Sequence, residues 1–262
     1  MKNFFLFLYF FFNNLFIKRF KYIRLTPNYF GKIYYYDKIK KKVFQIFCQG
    51  KIDSNTANEI FTNHCYDLSF LKRFHELKKK YHSIIKNGYT PLIIDCGSNI
   101  GLSTRYFAEL FEEAKIISIE PDLQNFNLLK KNCKEYNNIV FLNSAIGSEK
   151  GFVEIINSDE SNNSFITNIS NNSKSIKLLP INEILNQHPS CLPFIVKIDI
   201  EGFENNLFEK NTEWVCKTLL IIIEPHDWLF SKKNSFKNFL KVISKEDRDF
   251  VIKGENVYSI SN

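Results

Sequence analysis

The run K-I-D-I-E-G-F-E holds Asp199, Glu201 and Glu204 within six residues, and the later run I-E-P-H adds Glu224 and His226. Acids and an imidazole at this density suit the removal of a proton from a hydroxyl, because an imidazole titrates near neutral pH and a neighbouring carboxylate can orient it. His226 is the candidate base, oriented by Glu224 or Asp199. The same groups, Asp199, Glu201, Glu224 and His226, could instead hold a magnesium-like ion that lowers the pKa of a bound hydroxyl. A metal-free cluster is preferred, since carboxylates at strand ends serve equally well to hydrogen-bond hydroxyls. The structural alternative is an acid that only caps a helix starting near Gly202.

Positioning these groups requires a sheet. Apolar, β-branched runs at 194–198 and 219–223 predict the fourth and fifth strands of a parallel sheet, each ending in its acids. Ligands of open parallel sheets sit beyond the carboxyl ends of the strands, so Asp199 is expected beside the reacting group. The first strand, 92–94, ends in Asp95 and enters the turn D-C-G-S-N-I-G, after which an amphipathic helix opens at Leu102. A dinucleotide loop must offer bare N–H groups to a pyrophosphate, which a carboxylate at its head would repel. No Walker lysine follows Gly101 either. A cationic ligand with an ammonium group suits this loop, and S-adenosylmethionine has both a sulfonium and an α-amino group. Asp95, Gly97, Asn99 and Gly101 are therefore its candidate binding residues. Glu120, at the end of a second strand over 116–119, lies where the doubly wound fold puts a carboxylate on ribose hydroxyls. Ser144 and Ala145, after a third strand over 139–142, could lie against the adenine face.

Taken in order, D-C-G-S-N-I-G, I-E-P-D, N-S-A-I-G, K-I-D-I-E-G-F-E and I-E-P-H resemble the FkbM family of S-adenosylmethionine-dependent methyltransferases. The resemblance covers roughly residues 91–260. It implies an α/β, Rossmann-like class I methyltransferase fold and transfer of a methyl group to a hydroxyl, often of a sugar or polyketide. Pro225-His226 departs from the family, which often has an aromatic residue there. With strand patterns at 250–252 and 257–260 about Gly254 and Asn256, the chain is expected to form a mainly parallel seven-stranded sheet with an antiparallel edge and helices on both faces.

The 262 residues suffice for one full core with an appendage. Residues 1–90 hold 17 Lys and Arg against 5 Asp and Glu, a net of +12, and the rest of the chain nets −5, giving the overall +7. The basic character thus belongs to the front third, where no nucleic-acid motif occurs; nucleic acid is not an expected partner. Residues 1–17 are apolar and aromatic, too short to span a bilayer, and end in Lys18, Arg19, Lys21 and Arg24. Residues 1–25 read as an interfacial membrane anchor on a cytoplasmic protein, the alternative being a buried N-terminal helix. Residues 26–88 read as a basic cap closing one side of the donor site, with strands at 33–36 and 43–47 and helical spacing over 58–86. Residues 89–262 form the donor-binding domain. The Asn- and Ser-rich stretch 157–175 reads as a surface loop, with a lid over the acceptor as its functional alternative. Six scattered cysteines without C-x-x-C pairing argue for a reduced chain without structural zinc. Two rival functions share this fold: a dinucleotide-dependent oxidoreductase, and a non-catalytic membrane-associated protein that keeps the pocket. Acceptor identity and oligomeric state are not written in the sequence.

Overall fold

The computed structural model of the protein describes residues 21–26, 31–157, 165–169, 175–228, 232 and 234–262. The hydrophobic leader, residues 1–17, lies outside them, and among the described residues no helix is long and apolar enough to cross a membrane. The described chain opens with an antiparallel sheet of β1 (Tyr22–Arg24), β2 (Lys32–Asp37) and β3 (Lys42–Phe47). Strands β2 and β3 pair from Lys32↔Phe47 to Asp37↔Lys42, on either side of the lysine-rich turn as the alternation predicts. The helical spacing over 58–86 does not yield one helix. Instead α1 (Lys51–Ala57) runs into a π-helical turn at Asn58–Thr62, a 3-10 turn covers Leu68–Phe70, and α2 (Phe74–Lys86) follows. The first break comes at His64, whose φ of +54° no helix accommodates.

Next come β4 (Thr90–Cys96), α3 (Leu102–Leu110), β5 (Lys115–Ile119), α4 (Leu123–Asn132) and β6 (Ile139–Leu142). A second sheet follows, built from β7 (Ala145–Gly147), β8 (Gly151–Asn157), β9 (Phe165–Ile169) and β10 (Ile176–Pro180) in the order β7-β10-β8-β9. It corrects the expectation of an irregular loop over 157–175, because β9 pairs antiparallel with β8 within that stretch. Strand pairing supplies backbone hydrogen bonds that an Asn- and Ser-rich composition does not forecast. The chain ends with α5 (Ile181–Gln187), β11 (Cys191–Ile198), α6 (Glu204–Leu207), α7 (Trp214–Lys217), β12 (Leu220–Ile223), α8 (Lys237–Ile243), β13 (Arg248–Lys253) and β14 (Asn256–Ser261).

The main sheet has the order β13-β14-β12-β11-β4-β5-β6. Its strands β12, β11, β4, β5 and β6 run parallel, and β14 and β13 close it antiparallel, which is the seven-stranded architecture expected. Alternate residues of its central strands face opposite layers. Ile93, Ile116, Ile195 and Ile222 pack with the N-terminal region and α3, while Ile94, Ile117, Val196 and Ile221 pack with α7 and α8. All eight are fully buried, each contributing on the order of 1.5–3 kcal/mol by leaving water. Both faces being covered is why these strands read as unbroken apolar runs.

Two glycines explain the sharp exit from β4. Gly97 has φ +76°, and a Cβ there would lie 1.8 Å from the carbonyl oxygen of Asp199. Gly101 has φ +89° and abuts Leu129 and Cys133 of the α4 segment. A side chain at either glycine would thus meet the protein's own chain, and the bare backbone of Gly97 is left facing the cleft described below. Gly97→Ala is expected to cost about 3 kcal/mol in urea unfolding, combining a left-handed backbone with steric overlap. Gly88→Ala, with φ +81° and nothing within 4 Å, should cost only the backbone part, about 1 kcal/mol.

Candidate active site

Where β4, β5, β6 and β11 end, they leave a cleft of about 590 Å³ open to solvent. Gly97, Asn99, Glu120, Ser144 and Ala145 line one part of it, and Asp199 and Glu201 another. Seven of the eleven residues picked from the sequence are thus brought together in one cleft. Asn99 and Glu201 hold their places with φ +48° and +52°, left-handed values that are costly for Glu and tend to persist at functional sites. Glu120 is 4% exposed; its Oε2 accepts the Asn99 N–H at 2.7 Å and its Oε1 accepts the Asp122 N–H at 2.9 Å. Burial pushes its carboxyl up to about 7 despite those two bonds. Two buried polar atoms in the lining, Asn99 Oδ1 and Ser144 Oγ, have no protein partner. Among the described residues none of 26–88 is in the cleft lining, but Gln49 of that region donates to the lining residue Asn125 at 2.8 Å.

Asp95 and Gly101 do not line the cleft. Asp95 is fully buried, with its Oδ2 accepting from Ser103 Oγ at 2.7 Å and Thr104 Oγ1 at 2.6 Å, so it fastens the first turn of α3. Its Oδ1 lies 3.3 Å from Lys197 Nζ. The expected attraction between Asp95 and a cationic ligand is therefore taken up inside the protein. Lys197 is the residue the sequence reading missed. It stands directly across from Asp95 in the β4–β11 register, lies 3.3 Å from Asp199 Oδ2 as well, and donates to the Gly97 carbonyl at 2.8 Å. Burial pulls its ammonium down, but Asp95 and Asp199 outweigh burial and hold it above the ordinary lysine range. A charged residue inside the apolar run of 194–198, beside a strand ending in Asp95, was the available signal.

Glu224 and His226 extend the acidic side beyond the cleft lining. His226 is 2% exposed, and the partner that orients it is Glu204, whose Oε1 is 2.8 Å from Nδ1. Glu224 and Asp199, the expected orienters, face the other nitrogen, as does Glu201. Nε2 lies 3.6 Å from Asp199 Oδ1, 3.6 Å from Glu201 Oε2 and 3.8 Å from Glu224 Oε1. Burial lowers the imidazole's proton affinity, but the Glu204 bond and the charges of Glu204, Asp199 and Glu201 reverse this and raise His226 to about 9. Burial and then Asp199 push Glu201 up to about 7 and Glu224 to about 8. Glu204 was visible as the third acid of its run, but that it lies under the imidazole depends on the turn at Gly202, φ +91°, leading into α6.

The sequence profile of the methyltransferase FkbM domain matches residues 95–252. The chain belongs to the FkbM methyltransferase domain family. The match takes in every candidate site residue, from Asp95 to His226. Over 74 residues, 28% of the chain, it is 34% identical to methyltransferase sdnD of Sordaria araneosa, and the match spans 22% of that relative's length. Among solved structures it is similar to an O-methyltransferase from Bacillus cereus in complex with SAH, at TM-score 0.42 and 12% identity, covering 79% of this chain and 91% of that one. It is also similar to the O-methyltransferase TomG from Streptomyces achromogenes in complex with SAM, at TM-score 0.42 and 10% identity, covering 82% and 92%.

Membership makes this a methyltransferase domain with S-adenosylmethionine as its donor, and sets aside the dinucleotide oxidoreductase. The cleft fits that donor. Asn99 Oδ1 and Ser144 Oγ are buried polar atoms awaiting partners, and Glu120 keeps unused lone pairs for hydroxyls. Asp199 and Glu201 add carboxyl groups to the same lining, while Asp95 is paired with Lys197.

Proposed function

We propose that the protein transfers the methyl group of S-adenosylmethionine to a hydroxyl of a small molecule, with a sugar, glycan or glycolipid as acceptor class. One observation carries the reading: Asp199 and Glu201 line the donor cleft and also face His226, which sets candidate proton acceptors beside the donor. The bound donor supplies an activated methyl group, and the protein has only to align the acceptor oxygen and take its proton. The new bond joins the methyl carbon to that oxygen, the sulfonium–carbon bond breaks, and S-adenosylhomocysteine leaves. Asp199 or Glu201 accepts the hydroxyl proton. His226 and Glu224 lie behind them, and His226, held by Glu204, fixes their arrangement rather than acting as the base.

Glu120 is assigned to the ribose hydroxyls, and its burial gives that assignment a pH signature. The ionised form accepts hydroxyls better, so affinity for S-adenosylhomocysteine should weaken as pH falls through 7, by up to about 10-fold at pH 6 relative to the fully ionised form. Apo stability should move the other way. The unfolded chain loses this proton near the ordinary glutamate pKa and the folded chain only near 7, so the Glu120 contribution declines as pH rises between those values. Glu120→Gln should flatten both trends, read by calorimetry and urea unfolding.

The reaction itself is tested by calorimetry with S-adenosylhomocysteine and by labelled methyl uptake into a panel of hydroxylated acceptors. Binding, with label in an alkali-stable ether, is the expected result. Absence of binding by folded protein, or label released by mild alkali as from a methyl ester, overturns it. Strand β1 takes Tyr22–Arg24 of the expected 1–25 anchor into the core; the residues before it are assigned to an anionic membrane surface on the cytoplasmic side, where the donor is made. Loss of vesicle co-sedimentation on deletion of residues 1–20, which leaves β1 in place, is the expected outcome.

A further inference from the structure

We propose that Asp199, Glu224 and the Nε2 nitrogen of His226 form a divalent-cation site at the carboxyl ends of β11 and β12. This rests on the methyl-transfer reading and deepens it, because the ion would hold the acceptor's oxygen beside the donor cleft. It also reverses the preference for a metal-free cluster drawn from the sequence. One ligand atom from each of the three residues lies within 4.8 Å of the others. Ligands about 2.1 Å from an octahedral ion stand roughly 3 Å apart at right angles, so modest side-chain rotations close the set.

His226 supplies the independent observation. Its buried ring is locked through Nδ1 by Glu204, itself fully buried, with Glu204 Oε2 left without a partner. Nε2 points among three carboxylates yet hydrogen-bonds none of them, the nearest oxygen being 3.6 Å away. A charge-assisted bond from Nε2–H should draw one of those oxygens to about 2.8 Å. An ion would take the place of the Nε2 proton, and a ring held through Nδ1–H by a buried carboxylate would then present the Nε2 lone pair to it, the arrangement that orients metal-binding histidines. The surroundings are rich in carboxyl oxygens: Asp199, Glu201, Glu204 and Glu224 all stand against the His226 ring. Two carboxylates and one imidazole, with the remaining positions open, suit Mn²⁺ best, and Mg²⁺ more weakly.

The test uses full-length protein stripped with EDTA and titrated with Mn²⁺ alone, with free Mn²⁺ followed by electron paramagnetic resonance. One saturable site and a Tm that rises with Mn²⁺ are expected. Asp199→Asn and Glu224→Gln should each abolish the site, and Glu204→Gln should weaken it about 10–100-fold. Distant Glu149→Gln should leave it unchanged. If Asp199→Asn fails to fold, Glu224→Gln carries the test, since that side chain is 19% exposed and outside the cleft lining. Equal Mn²⁺ binding by wild type and Glu224→Gln overturns the proposal. Calorimetry with S-adenosylhomocysteine on the same stripped protein separates the two readings. Donor-product binding without stoichiometric Mn²⁺ overturns the ion site and leaves methyl transfer standing, while Mn²⁺ binding without donor-product binding does the reverse.

Discussion

Lys197→Met is expected to destabilise the protein by about 3–5 kcal/mol, a large part of the 5–15 kcal/mol by which a typical domain is stable. The methionine fills similar space but leaves Asp95, fully buried in β4, without the cation 3.3 Å from its Oδ1. It also leaves the Gly97 carbonyl without its 2.8 Å donor at the turn that shapes the cleft. Asp95→Asn in the same background should recover part of the loss, because the uncompensated charge is then gone. Lys197→Arg should not substitute, since a planar fork cannot reproduce the three contacts of one ammonium at Asp95, Asp199 and Gly97. Urea unfolding of the four proteins measures this. Wild-type stability in Lys197→Met would mean the buried charges are not coupled.

Asp199→Asn should lower kcat by about 10²–10⁴, the range expected when a positioned proton acceptor is lost. The asparagine keeps the side chain's shape, and Lys197 keeps Asp95 as a partner, so the fold should hold. Affinity for S-adenosylhomocysteine should change less than 10-fold, because that product lacks the positive sulfonium and Glu120 and Asn99 remain in the cleft lining. Glu201→Gln, whose carboxylate shares the cleft wall and lies equally far from His226 Nε2, should lose less if Asp199 is the acceptor. A kcat unchanged in both variants would remove these carboxylates from the chemistry.

The sequence by itself determined the strands of the main sheet and the end of it at which the candidate site lies. Strand β11, strand β12 and the β13–β14 hairpin are local patterns of apolar, β-branched residues, and a parallel sheet buried on both faces cannot read otherwise. Acids at strand ends follow from chain order alone, so Glu120, Asp199 and Glu224 were legible. Only the tertiary structure decided which acid faces which cation. Asp95 looked like a ligand group because its partner, Lys197, stands beyond the reach of any local pattern and is brought opposite by strand register. The partner of His226 turned out to be Glu204, not Glu224 or Asp199, because left-handed backbone at Glu201 and Gly202 swings α6 beneath the ring. Charges interact over a few ångströms of space whatever their separation along the chain. Residue types and their spacing therefore foretell that a site exists and where, while its pairings wait for the fold.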